Sequence, residues 1–146
     1  MCPLNAMTGF GEVRFIGEVK TEGVVSELEI FPEHCRGLLG IERHSHLIVF
    51  YWFHQRDNDE HRKVLQVTPP RHPGAPLTGV FACRSPSRPN PVGLSVVRLI
   101  EVNNCQLTVE GLDAFQGSPV IDIKPYLPRS DSVPDALTPG YVNPTD

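Results

Sequence analysis

The alternation of apolar and polar residues over short segments is the feature that most restricts how this chain can fold. Apolar residues recur at alternate positions in Val13–Lys20 and again around Leu28 and Ile30, which is the period of a half-buried β-strand. The continuous apolar run Leu47–Phe53 is rich in β-branched and aromatic residues, so it predicts a central strand buried on both faces. Further strands are predicted at Lys63–Val67, Thr78–Cys83, Leu94–Val102, Gln106–Gly111 and Val120–Ile123.

Helical patterning is confined to one segment, Pro32–Arg43, which begins with proline and carries three apolar residues, although two glycines weaken it. Val102-Asn103-Asn104-Cys105 predicts a hairpin with a two-residue turn, because asparagine tolerates positive φ. The 146 residues suffice for one domain with its own core. Many short strands with at most one short helix predict an all-β fold, a single antiparallel β-barrel whose closure removes exposed strand edges.

Fifteen prolines interrupt this pattern, and they cluster. Thr68–Pro76 holds four prolines in nine residues and Arg84–Pro91 holds three in eight. Since proline cannot donate a ladder hydrogen bond, both segments are predicted to be stiff loops and not strands. The tail 127–146 is rich in proline and polar residues, and we expect it to be extended and partly flexible.

The charge distribution is uneven. The net charge is −4, yet His61–Ile100 contains no Asp or Glu and six cations: Arg62, Lys63, Arg71, Arg84, Arg88 and Arg98. One interpretation is that neighbouring segments supply acidic partners in space. The other is a positive site for a carboxylate, a phosphate or a nucleic acid. Composition alone leaves both open.

Several classes of protein are disfavoured. The longest apolar run has seven residues, Leu47–Phe53, against the roughly 20 of a membrane helix, and no secretory signal is visible, so we expect a cytoplasmic protein without a membrane segment. The cysteines Cys2, Cys35, Cys83 and Cys105 form no C-x-x-C pair, which favours reduced thiols. His44-Ser45-His46 lacks a third ligand, so no metal site is predicted.

The segment Arg84-Ser85-Pro86-Ser87-Arg88-Pro89-Asn90-Pro91 carries the clearest chemistry. A stiff loop holds a guanidinium group with little ordering entropy left to lose on binding, and arginine grips carboxylates and phosphates with two prongs. The alternative is a surface turn that happens to carry arginine. Farther along, Asp122 and Lys124 share a strand face, for which a structural ion pair is the simpler interpretation, and Tyr126 offers either a stacking surface or a lid over the core.

Three strings carry a family resemblance: FYWFHQ (Phe50–Gln55), the segment Gly79–Val97 with its RSPSRPNP loop, and the segment Gly111–Ala136 with DIKPY. From Phe15 to Ala136 the chain resembles the TsaA-like proteins. Characterised members of that family use S-adenosylmethionine to methylate N6-threonylcarbamoyladenosine at position 37, in the tRNA anticodon loop. The resemblance implies a single antiparallel barrel that works as a homodimer, with the cofactor near the subunit interface.

The resemblance also implies functional residues. Its cofactor contacts fall, in this sequence, on His54, Gln55, Arg84, Leu94, Glu110, Gly111, Leu112 and Asp113. Substrate contacts are expected at strand ends and loop positions, on Arg71, Arg88, Asn90, Lys124 and Tyr126. A proton acceptor would help a urea-like nitrogen to react, but Asp113, Asp122 and His54 remain equal candidates, and no catalytic base is assigned.

The chain departs from the family pattern at several points. It has no Pro-Arg-Gln element in its first loop, Cys83 stands for the usual threonine, Ser87 for an aromatic residue, and Gln116-Gly117-Ser118-Pro119 for Asp-Gly-Thr-Pro. The extra C-terminal domain of the bacterial tRNA enzymes has no counterpart in these residues. A methyltransferase for a small molecule or another RNA, and a non-catalytic module that binds the cofactor or RNA, are therefore the alternative functions.

Overall fold

Six antiparallel strands form a closed barrel in a computed structural model that describes residues 9–142. In order around the barrel these are β1 (Gly17–Thr21), β2 (Val25–Ile30), β7 (Gln106–Glu110), β6 (Val92–Asn103), β3 (His46–Trp52) and β8 (Pro119–Pro125), which pairs again with β1. Two short strands, β4 (Gln66–Val67) and β5 (Thr78–Gly79), form a separate ribbon. The predicted all-β antiparallel barrel is confirmed.

Helical structure in the described range is limited to segments of three to seven residues. The α-helical turns are α1 (Asp59–Arg62) and α2 (Pro128–Asp131), and the 3-10 segments are Pro32–Leu38, Ile41–Arg43, His54–Arg56 and Val80–Ala82. The predicted helix Pro32–Arg43 is wrong in type, because Gly40 has φ of 86° and separates two 3-10 segments. Within residues 9–142, no helix has the length and apolar character needed to cross a membrane.

Both proline-rich segments are loops, as predicted, but several strand boundaries differ. Of the predicted strand Lys63–Val67 only β4 forms, and of Thr78–Cys83 only β5 forms. After β5 the chain turns inward, because Val80 is buried and its N–H donates to the carbonyl of Leu65 at 2.9 Å. The strand predicted from Val13 begins at Gly17.

The interior of the barrel is filled by aliphatic side chains from all six strands. None is more than 1% exposed: Val19, Leu28, Leu47, Val49, Val97, Leu107, Val109 and Val120. A barrel this narrow encloses only side chains, so a ligand must bind elsewhere. The prediction that Leu47–Phe53 is buried on both faces is wrong, because Ile48 and Phe50 face outward and are only half-buried.

The expectation of reduced thiols is also wrong for two of the cysteines. Cys35 and Cys105 form a disulfide with a Cα–Cα distance of 5.4 Å. Fold topology brings them together: Cys105 lies in the β6–β7 turn, and its carbonyl accepts from Ile30 N at 2.8 Å, five residues before Cys35. That turn comprises Asn104 and Cys105, one residue later than predicted, with Asn104 at φ of 56°. Cys83 is free, and Cys2 lies outside the described residues.

Candidate functional site

The RSPSRPNP loop, Arg84–Pro91, is held in place by arginine side chains. The Arg88 guanidinium donates to the carbonyl oxygens of Val80, of Cys83 at 3.3 Å and of Ser85 at 3.2 Å. From α1, Arg62 Nε donates to the carbonyl of Pro89 at 2.8 Å. Because proline has no N–H of its own, these donors supply the hydrogen bonds that fix the loop.

A second set of contacts joins this loop to the end of β3. Ser87, only 6% exposed, accepts from Arg56 Nη1 at 2.8 Å and contacts His61 Nδ1 at 3.0 Å. Arg56 ends the 3-10 turn that carries His54 and Gln55, so both predicted cofactor residues lie beside the loop, with exposed side chains. The replacement of the family's aromatic residue by Ser87 thus serves a buried hydrogen-bond network.

Asp57 completes the anchor of the loop. Its carboxylate accepts from Arg62 Nη1 at 2.9 Å and from Trp52 Nε1 at 3.1 Å, and these bonds, the one from Arg62 above all, lower the pKa of Asp57. The Arg62 guanidinium also lies 5.8 Å from the Trp52 ring centroid. The carboxylate therefore stays charged at neutral pH, and its contribution to stability is lost only as the pH falls through the lowered pKa.

Arg84 is the arginine of the loop that the fold does not use. Its side chain is exposed and forms no hydrogen bond or ion pair with any other residue in the range 9–142. Arg88, by contrast, is occupied by carbonyl groups, and Asn90 Oδ1 accepts from Arg62 Nη2 at 3.3 Å. The predicted substrate roles of Arg88 and Asn90 stay predictions, as does the predicted cofactor role of Arg84.

Tyr51, which sequence reasoning missed, organises the end of the barrel next to this loop. It is 4% exposed, and its hydroxyl donates to the carbonyl of Asp113 at 2.5 Å. The Asp113 N–H in turn donates to Ser95 Oγ at 3.2 Å. Gly93 lies against the ring, since a Cβ there would come within 2.5 Å of Tyr51 Cε2. Strand alternation would have marked Tyr51 as inward-facing, but its partner lies 62 residues away.

The charges around Tyr51 come from the predicted site residues. Burial raises the pKa of Tyr51, the Asp113 charge adds to this, and Arg71 and Arg84 oppose it. The hydroxyl is therefore a neutral donor at physiological pH. The Asp113 carboxylate also accepts from Arg71 Nη1 at 3.2 Å in an exposed ion pair. The ion pair brings Arg71 and Asp113 together, and the charge of Arg84 acts on the same tyrosine; we call these three residues the barrel-end cluster.

The other predicted residues lie on the outer surface of the barrel wall. Strand pairing places Leu94 beside Phe50, and Ile48 between Val96 and Lys124. One row farther along, His46 pairs with Arg98, which pairs with Glu110, and the Tyr126 N–H donates to the carbonyl of His46 at 3.1 Å. We call this surface the outer face; its residues are His46, Ile48, Phe50, Leu94, Val96, Arg98, Glu110, Lys124 and Tyr126.

The chain leads from the outer face to the barrel-end cluster at two points. Glu110 on the outer face is followed by Gly111–Asp113, and Leu94 is followed by Ser95, whose inward-facing hydroxyl accepts from the Asp113 N–H at 3.2 Å. Leu112, in the first of these segments, is buried at 6% exposure. Glu110 and Tyr126 are three strands apart, roughly 14 Å at about 4.8 Å per strand. Of the predicted cofactor and substrate residues, the outer face therefore carries Leu94, Glu110, Lys124 and Tyr126.

The stretch His61–Ile100 contains no acidic residue, and its cations were predicted either to pair with acids of other segments or to form a positive site. The ion pairs in the structure show the first for three of the six cations. Arg62, Arg71 and Arg98 pair with Asp57, Asp113 and Glu110, all outside the stretch, at 2.9, 3.2 and 3.0 Å. For these three, neighbouring segments supply the acids. The predicted structural pair is also confirmed, with Lys124 Nζ 3.1 Å from Asp122 Oδ2. Across the described residues, no three His, Cys, Asp or Glu side chains gather into a metal site.

Fold and site together define a class: a closed antiparallel barrel with a filled core, whose candidate site lies on the wall and rim. The family description "tRNA-methyltransferase O N-terminal domain" matches residues 17–132. The chain belongs to this family. The TsaA-like resemblance predicted from sequence is thereby confirmed, because TsaA-like is another name for the same family.

Curated relatives and solved structures agree with this assignment. The chain is 50% identical over 109 residues to an S-adenosyl-L-methionine-binding protein of Archaeoglobus fulgidus, covering 75% of this chain and 74% of that protein. A human tRNA (adenine(37)-N6)-methyltransferase is 41% identical over 108 residues, covering 74% of this chain and 23% of its own. The crystal structure of TrmO from Pseudomonas aeruginosa superposes with a TM-score of 0.70 at 31% identity, covering 92% of this chain and 64% of that one.

These matches differ in how much of the relative they include. The chain spans 28% of a probable S-adenosyl-L-methionine-binding protein of Archaeoglobus fulgidus that is 50% identical over 110 residues. Another TrmO crystal structure, with a TM-score of 0.72 and 33% identity, is covered to 65%. The shared part is thus the barrel, and activities of the longer relatives reach this chain only as proposals.

Proposed function

We propose that this chain is an S-adenosylmethionine-dependent methyltransferase that acts on N6 of threonylcarbamoyladenosine at position 37 of tRNA, in the cytoplasm. The observation that carries the proposal is that predicted cofactor and substrate residues of β6, β7 and β8 share the outer face, from which β7 leads directly to Asp113 of the barrel-end cluster. Family membership and the names of the relatives support methyl transfer from S-adenosylmethionine to tRNA.

The residues present fit the cofactor. Its carboxylate suits Arg84, an exposed guanidinium without a hydrogen bond or ion pair in the described range, on a loop whose main chain is anchored. Its amino and ribose hydroxyl groups suit the Asp113 carboxylate and the main chain of Glu110–Leu112. Leu94, 40% exposed, offers an apolar wall for the adenine. His54 and Gln55 complete the rim beside the loop.

Positioning supplies most of the catalysis in this proposal. When bound, S-adenosylmethionine would supply a methyl group activated on a sulfonium, with the thioether as leaving group, and the chain would hold N6 in line with that methyl carbon. Tyr51 and Ser95 fix the Asp113 main chain from within the barrel, so the carboxylate that faces the ligand starts from a rigid base. No catalytic base is assigned to the N6 proton.

We also propose a two-fold homodimer built on the outer face. Leu94 and Val96 are 40% and 46% exposed, and Ile48 and Phe50 are half-buried beside them. An exposed face leaves much of a bound cofactor in water. A second copy that packs against these apolar side chains, and leaves the end of the face at His46 and Tyr126 open, would enclose the ligand while burying the apolar strip. The site is then complete only in the dimer.

The dimer predicts a change in mass on a single substitution. Val96→Asp places a charge in the centre of the apolar strip, so the particle should shift from about 32 kDa to the chain mass of 16.2 kDa in light scattering at micromolar concentration. Leu39→Asp is the matched control, since Leu39 is 95% exposed outside this face and its substitution should leave the mass unchanged. A monomeric wild-type protein would refute the dimer.

Turnover tests the function itself. We expect the purified protein, given S-adenosylmethionine and tRNA that carries threonylcarbamoyladenosine, to yield a nucleoside one methyl group heavier in mass spectrometry. Unmodified tRNA is the control and should not react. Cofactor binding without any turnover would favour a non-catalytic module that binds the cofactor. The relative from Archaeoglobus fulgidus is likewise named only as an S-adenosyl-L-methionine-binding protein. Turnover of a small molecule or another RNA alone would favour the remaining alternative.

A further inference from the structure

We propose that a groove at the His46–Tyr126 end of the outer face, which the second copy leaves open, binds a nucleotide of the RNA substrate, an inference that rests on the proposed function. The groove has a volume of about 760 Å³ and is lined by Arg43, His44, His46, Val96, Tyr126 and Pro128, with Ser45 at its edge. It lies where the 3-10 segment Ile41–Arg43 enters β3, and β8 continues into α2. Apart from Tyr126, none of these residues is predicted from sequence to bind a substrate.

The polar lining of the groove suits a phosphate group. It contains a guanidinium, two imidazoles and a hydroxyl, and no acidic residue. Arg43 is exposed and forms no ion pair with another residue of the range 9–142. Ser45 Oγ lies 2.8 Å from His46 Nδ1, which orients that imidazole at the rim. A guanidinium in a lining without acidic residues is the kind of site that contacts a phosphate of a nucleic-acid backbone.

The aromatic lining suits a base. The rings of Tyr126 and His46 meet edge to face with centroids 6.5 Å apart, and the Tyr126 N–H is bound to the carbonyl of His46. Tyr126 is half-buried, so one part of its ring is fixed and the other is open to the groove. A fixed aromatic ring beside cations is how proteins hold an unstacked base of a single-stranded RNA loop.

The position of the groove connects it to the proposed methyl transfer. Val96 lines the groove and also lies on the outer face. It is two residues from Leu94, roughly 7 Å along the strand at about 3.4 Å per residue. A nucleotide in the groove would therefore lie next to the proposed cofactor wall. The distance is the length of about one nucleotide, so the occupant is the reacting nucleotide or its immediate neighbour.

The test uses equilibrium binding of a synthetic anticodon stem-loop RNA, measured by fluorescence anisotropy at several salt concentrations. Arg43→Ala should weaken binding about five- to tenfold and flatten the log–log salt dependence by about 0.7–0.9, the contribution of one phosphate contact. Arg36→Ala is the matched control: Arg36 is also exposed on a 3-10 segment but lies outside the groove, so the affinity should stay within twofold.

Tyr126 supplies the second arm of the test. Tyr126→Leu should weaken RNA binding about tenfold, while Tyr126→Phe, which keeps the ring, should bind like wild type. Calorimetry with S-adenosylmethionine should show no change for Arg43→Ala, and failure of the wild type to bind that cofactor would count against the proposed function alone. The groove proposal is overturned if Arg43→Ala and Tyr126→Leu both bind RNA within twofold of wild type, or if Arg36→Ala loses as much as Arg43→Ala.

Discussion

The double substitution Cys35→Ser and Cys105→Ser is expected to lower the free energy of unfolding by about 4 kcal/mol, a large share of the stability of a small domain. The reason is the 70-residue separation of the two cysteines, because breaking their link releases a long loop in the unfolded chain. Urea unfolding followed by circular dichroism measures the loss as a lower midpoint, with the slope compared between the proteins.

Cys83→Ser is the matched control, since Cys83 is the free cysteine among the described ones and its thiol makes only one weak contact, to the carbonyl of Gly79 at 3.5 Å. It should change the stability by no more than about 0.5 kcal/mol. Incubating the wild type with a strong reductant should reproduce most of the loss. An unchanged midpoint in the double variant would show that the two sulfurs are not linked in solution.

The β-barrel could be predicted from sequence because its strands are amphipathic at a period of two. Val19 and Leu28 are inward-facing in the alternation and fully buried in the structure. The proline clusters likewise marked the two loops, since a missing N–H is a local property. Boundaries failed where tertiary contacts overrode the local pattern, as at Val80, whose burial ends β5 after two residues.

What sequence could not show is proximity between distant segments. The sequence predicts Cys35 and Cys105 to be reduced thiols. They form a disulfide in the structure because β2 ends beside the β6–β7 turn, which brings the two residues together. One interpretation of the acid-free stretch was a basic surface. In the structure Arg98 forms an ion pair with Glu110, which lies opposite it on the neighbouring strand. Charge along a chain describes the surface only after pairing is known.

The family resemblance predicted residues of the candidate site, but it could not predict how these residues are arranged in space. The family resemblance marked Leu94 and Glu110, yet strand pairing places them on the outer wall of the barrel, where one chain encloses nothing. The stiff loop predicted two available arginines, Arg84 and Arg88, but the loop needs one of them as its own hydrogen-bond donor. Prolines stiffen the loop but contribute no N–H groups to it. Arg88 donates to the loop carbonyls instead, and Arg84 does not.

This division of labour between the two arginines makes Arg84→Ala the sharpest test of the cofactor site. We expect S-adenosylmethionine binding to weaken by about 1.5–3 kcal/mol, roughly ten- to 150-fold in Kd, because a charge-assisted bond to the carboxylate is lost. Calorimetry gives the affinity. Since Arg84 makes no hydrogen bond or ion pair within residues 9–142, the melting temperature should not change.

Two further variants separate the explanations for any loss. Arg84→Lys keeps the charge without the two-pronged geometry, so an intermediate affinity is expected if Arg84 grips a carboxylate. Lys63→Ala removes another exposed cation of the same stretch, at the end of α1, and should bind the cofactor like wild type. If Arg84→Ala binds as tightly as wild type, Arg84 does not contact the cofactor; if Lys63→Ala loses as much, the cations act only through a diffuse field. Neither outcome is compatible with a preorganised guanidinium as the carboxylate anchor.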